Sequence, residues 1–62
     1  MVPDDRELWA CALQVERQHG ENAGRFVAER IGALAVAGDH DGVTTWKAIA
    51  QRLDKLRRDA AD

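Results

Sequence analysis

The chain has 62 residues and a formal net charge of −2, spread as −2 over residues 1–20, −1 over 21–40 and +1 over 41–62. No block is basic enough to form an electrostatic footprint for nucleic acid, and no apolar run approaches the ~18 residues of a membrane span. Cys11 is the only cysteine, so an internal disulfide is excluded.

Size then sets a problem. A chain this short buries only about 60% of the surface its unfolded form exposes. A core of that size supplies ~3–5 kcal/mol, and small domains add a staple. With no disulfide available, association with a second chain is the leading one. The start, Met1-Val2-Pro3-Asp4-Asp5, is acidic and has neither the basic nor the apolar region of a signal peptide. That and the single thiol point to the cytoplasm.

A first helix is expected over about residues 3–19. Pro3 suits the first helical position, Asp4, Asp5 and Glu7 load the first turn, and Arg17 and His19 close the last, which complements the helix dipole at both ends. Leu8, Cys11, Ala12 and Val15 fall at i, i+3, i+4, i+7, one face of a helix. Cys11 is expected to pack there as a small hydrophobe, since no clear activating base lies near it. Trp9 and Leu13 flank this stripe. Gly20 ends the helix in a left-handed conformation.

A second helix is expected over about 22–37, with Asn22 as its N-cap and Gly38 as its stop. Val27, Ile31, Leu34 and Ala35 form its apolar face, with Phe26 beside it. The stretch Ile31-Gly32-Ala33-Leu34-Ala35-Val36-Ala37 carries no charge. A helix apolar on most sides is expected to be buried on most sides, so this helix is predicted to be central. Gly32 inside it is destabilising by about 1 kcal/mol relative to Ala, which close approach of another helix at that point would offset.

Gly38-Asp39-His40-Asp41-Gly42 reads as a short polar turn between antiparallel helices. The third helix is expected over about 41–59, with Asp41 as its cap. Trp46, Ile49, Leu53 and Leu56 line one side, and Lys47, Arg52, Lys55, Arg57 and Arg58 form a solvated outer face. No segment alternates with the period of a strand. The fold class expected is all-α, a small three-helix bundle of up-down-up topology completed by dimerisation, with residues 1–62 as a single domain.

Three motifs resemble sites. Glu16-Arg17-Gln18-His19 has the Glu-x-x-His spacing of di-iron bundles, but a site of that kind needs two copies and further carboxylates. A metal-binding helical dimer through Glu16 and His19 is therefore a remote alternative to a solvent-facing Glu and a dipole-favoured His. Asp39-His40-Asp41-Gly42 echoes a calcium loop yet lacks the third acid and the bidentate Glu. Thr45 to Leu53 resembles the first helix of a helix-turn-helix, but Asp54-Lys55-Leu56-Arg57-Arg58 continues the helix where the turn is needed. A small DNA-associated regulator of helix-turn-helix type is the alternative function.

At Glu7-Leu8-Trp9-Ala10-Cys11-Ala12, Val15-Glu16-Arg17-Gln18-His19-Gly20, Ala28-Glu29-Arg30-Ile31-Gly32-Ala33-Leu34 and Trp46-Lys47-Ala48-Ile49-Ala50-Gln51-Arg52-Leu53, the chain resembles a family of short uncharacterised alphaproteobacterial proteins, a domain of unknown function. The resemblance covers about residues 5–57. It implies a bacterial cytoplasmic origin and no activity, cofactor or site residue.

The reading is thus a protein-interaction or self-assembly module, not an enzyme. Its partner is a second copy or another protein. Nucleic acid, membrane, small-molecule ligand, cofactor and metal are not expected. Tryptophan is enriched at binding hot spots, and the candidate interface residues are Trp9, Leu13, Phe26 and Trp46.

Overall fold

The computed structural model of the chain describes residues 3–61. They form α1 (Asp5–His19), a 3-10 turn (Gly20–Asn22), α2 (Ala23–Val36) and α3 (His40–Ala61). The described residues contain no strand, so the all-α, three-helix expectation holds. Boundaries shift where side-chain chemistry decides them. α1 begins at Asp5 because the Asp4 side chain caps it, accepting from the Glu7 N–H at 2.9 Å. Pro3 therefore precedes the cap and does not occupy the first helical position. Asn22 makes no side-chain cap bond, because the 3-10 turn runs directly into α2 and leaves it no N-cap geometry.

The end of α2 is closed by a pair of backbone bonds. Asp39 N–H donates to the Leu34 carbonyl at 2.9 Å and Gly38 N–H to the Ala35 carbonyl at 3.1 Å, the Schellman pattern. It requires positive φ at Gly38, which stands at +77°. Asp39, rather than Asp41, then caps α3: its Oδ1 accepts from the Gly42 N–H at 2.9 Å, three residues on, as an N-cap acceptor should. One residue thus ends one helix and starts the next. Asp39→Ala is expected to lower stability by about 1 kcal/mol, a fall in melting temperature of roughly 4–8 °C for a domain this small. Asp39→Asn, which keeps the acceptor oxygen, should melt near the parent value in the same scan.

The core is Leu8, Ala12 and Val15 from α1, Ala23 and Val27 from α2, and Ile49 and Leu53 from α3. Ala12 and Ala23 are fully buried. α2 and α3 run antiparallel. Gly24 lies against Arg57 at one end, where a Cβ would meet Nη1 at 3.5 Å, while Arg30 lies over the Trp46 ring near the other.

The central helix is α3, not α2. α3 packs along both other helices, whereas α1 and α2 touch each other sparingly. The dimensions explain this. At ~1.5 Å rise per residue, the 22 residues of α3 account for most of the 37 Å long axis, and the thinnest dimension is 16 Å. The domain is a slab in which α1 and α2 share α3 as a backing. α2 consequently buries one side only. Gly32, Ala33, Ala35, Val36 and Ala37 are all exposed, and a Cβ at Gly32 would meet nothing within 4 Å. The close helix approach expected there is absent.

Candidate interaction surface

Arg57 joins all three helices. Its Nη2 donates to the Gly20 carbonyl at 2.8 Å and its Nε to Glu16 Oε2 at 3.4 Å, and the same guanidinium borders Gly24. Gly20 is where the chain leaves α1, at φ +52°, and its carbonyl accepts from the Ala23 N–H in the 3-10 turn. Arg57 adds a second, charged donor to the same oxygen. At the other end of α1, Arg52 forks onto Asp5, with Nη2 at 2.7 Å and Nε at 3.2 Å from Oδ1. Arg58 pairs with Asp54 at 3.1 Å within α3. Of the expected solvated basic face, Lys47, Lys55 and Arg58 are exposed, whereas Arg52 and Arg57 are half-buried and tied to α1 and its C-terminal end. The two key pairings link residues 41 and 47 positions apart, and a helical wheel cannot register them.

A stack of rings lies on the opposite flank of α1. His19 stacks on Phe26 with centroids 3.9 Å apart, Phe26 meets Trp46 edge-on at 5.9 Å, and Arg30 stands 5.8 Å above Trp46. An edge-to-face pair adds ~0.5–1.5 kcal/mol beyond its area. Beside the stack runs an open groove of about 330 Å³, lined by Ala10, Cys11, Gln14, Val15, Gln18, Phe26 and Trp46. A second groove of about 250 Å³ lies between α2 and α3, floored by Val27, Ile31, Ala50 and Leu53 and bounded at one end by Asp54 and Arg57.

The four candidate interface residues do not form one patch. Phe26 and Trp46 are half-buried against the core. Trp9 and Leu13, at i and i+4, lie on the other flank of α1, with Trp9 half-buried and Leu13 41% exposed. Cys11 is exposed instead of packed. The slab explains this: α1 is buried along Leu8, Ala12 and Val15 only, a stripe too narrow to include its neighbour at position 11. Val36, which gave no interface signal in sequence because it sat within an apolar run, is the most exposed large hydrophobic among the described residues, at 91%.

The motifs separate in space or take structural work. Glu16 faces Arg57 and His19 faces Phe26, so the two lie on different partners. Asp39 is engaged as a cap. Among the described residues, no three His, Cys, Asp or Glu side chains come together as a metal cage. Cys11 and His19, eight residues apart on α1, are separated by about 12 Å of helix rise, too far for a thiol–imidazole pair. α3 runs unbroken from His40 to Ala61, without the turn and second helix of a helix-turn-helix.

Residues 4–61 match the model of a family of unknown function, DUF6961. The chain belongs to DUF6961. The match begins at the Asp4 cap and runs through α3, so the DUF6961 unit is the whole three-helix slab. No curated protein and no solved structure matches the chain. Among the described residues, no helix is long and apolar enough to cross a membrane.

Proposed function

We propose that this DUF6961 protein is a non-catalytic interaction module that pairs with a second copy of itself through the outer face of the C-terminal half of α2. The observation that carries the reading is Val36, 91% exposed amid exposed Gly32, Ala33, Ala35 and Ala37. Burying a valine side chain contributes about 1.5–3 kcal/mol, a large gain beside the few kcal/mol that a core of this size supplies. The small neighbours let another backbone come close. The compartment that suits an exposed, unpaired thiol is a reducing cytoplasm, here a bacterial one, as the resemblance implies.

Association makes the melting temperature depend on concentration. Sedimentation and light scattering across a hundredfold dilution should show a monomer–dimer equilibrium, with melting temperature rising as protein is added. Val36→Asp should be monomeric at every concentration while keeping its helical circular dichroism. A parent chain that is monomeric throughout, with a fixed melting temperature, sinks the self-pairing reading.

A further inference from the structure

α1 carries a second exposed surface whose charge pattern differs from that of α2. Arg6, Ala10, Leu13 and Arg17 fall at i, i+4, i+7 and i+11 on one side of the helix, and all four are exposed, Leu13 by 41%. Trp9 borders them, half-buried. The two arginines differ from the arginines of α3. Arg52, Arg57 and Arg58 are each paired with a carboxylate, whereas Arg6 and Arg17 have no ion-pair or hydrogen-bond partner among the described residues. At ~1.5 Å per residue they stand about 16 Å apart along the helix, one on each side of the exposed leucine. Tryptophan and arginine are enriched at binding hot spots.

The pattern also selects the occupant. If this surface paired antiparallel with itself about its midpoint, Arg6 would face Arg17 of the other copy at both ends, a like-charge arrangement that disfavours association. A partner with carboxylates at those positions meets both cations. We infer that the α1 surface formed by Arg6, Trp9, Leu13 and Arg17 docks an acidic amphipathic helix of another protein. That helix presents an apolar residue to Leu13 and Trp9, between two carboxylates about 16 Å apart that meet the arginines. This is helix-against-helix recognition read through anchors one and two turns apart. It does not rest on self-pairing through α2, which uses a different helix.

The test uses two synthetic helical peptides with the same leucine face, one edged with glutamates and the other with lysines, titrated into the ¹⁵N-labelled chain. The glutamate peptide should give saturable shifts confined to residues 6–17 and weaken as salt is raised, and the lysine peptide should give none. Arg6→Glu with Arg17→Glu should weaken binding at least about tenfold, since each rim pair contributes modestly and steers encounter. Leu13→Asp should remove it. Arg25→Glu, the same charge change at an exposed site on α2, should leave it intact. No shift with the glutamate peptide at low salt, shifts outside residues 6–17, or equal binding by the double variant would overturn the proposal. So would a short DNA duplex that binds these arginines more tightly than the peptide. A monomeric chain that still binds the peptide would remove the α2 reading alone.

Discussion

Leu53→Ala should leave little of the chain folded at 37 °C. Leu53 is 3% exposed and belongs to the cluster in which all three helices meet. It also floors the groove between α2 and α3. Truncating a buried leucine is destabilising by about 2–5 kcal/mol, depending on how far the site can collapse. A single core of this size supplies ~3–5 kcal/mol in total, so the loss is comparable with the whole. Urea unfolding followed at 222 nm should show a midpoint near zero denaturant for the variant. Lys55→Ala, at an exposed position on the same helix, should stay within about 0.5 kcal/mol of the parent. A Leu53→Ala chain that unfolds close to the parent midpoint would mean that the core described here does not hold the fold.

Arg57→Ala should be the most damaging change at a charged position. It removes the charged donor to the Gly20 carbonyl, which keeps its bond from the Ala23 N–H, and the partner of Glu16 together. A hydrogen bond from a charged group contributes about 1.5–3 kcal/mol. The Glu16 pair adds less, since its side chains are 39% and 38% exposed and water screens pairs of that kind. A loss of about 2 kcal/mol lowers the melting temperature by roughly 10 °C in a domain this small. Arg57→Lys should recover less than half of it, because an ammonium lacks the planar fork that reaches carbonyl and carboxylate at once. Glu16→Gln should have the smaller effect, leaving the carbonyl bond in place. If Glu16→Gln proved as harmful as Arg57→Ala, the ion pair and not the carbonyl bond would be what holds the α1–α2 junction.

The three helices were legible in sequence because their signals are local. The 3.6-residue repeat of Leu8, Ala12 and Val15, the acidic first turn of α1 and the glycines at 20 and 38 each act within a few residues, and each appears in the structure. Caps were read less well. Asp4, Asp39 and Asp41 are all chemically able to cap, and the choice falls on Asp4 and Asp39 through backbone geometry one turn away. Of the candidate interface residues, Leu13 is 41% exposed, while Phe26 and Trp46 lie against the core. A wheel shows that a residue flanks a stripe but not which neighbour lies on that flank.

By itself the sequence determined an all-α chain of three amphipathic helices, because periodicity and turn residues are properties of short stretches. Only the tertiary structure decided which helix is central. The apolar composition of α2 suggested burial on every side, but the length of α3 makes it the backing for both others and leaves Val36 in water. The roles of Arg52 and Arg57 were decided in the same way. Whether a cation is a solvated charge or a tie between helices depends on which carbonyl or carboxylate the fold brings to it, and those partners lie 37, 41 and 47 residues away along the chain.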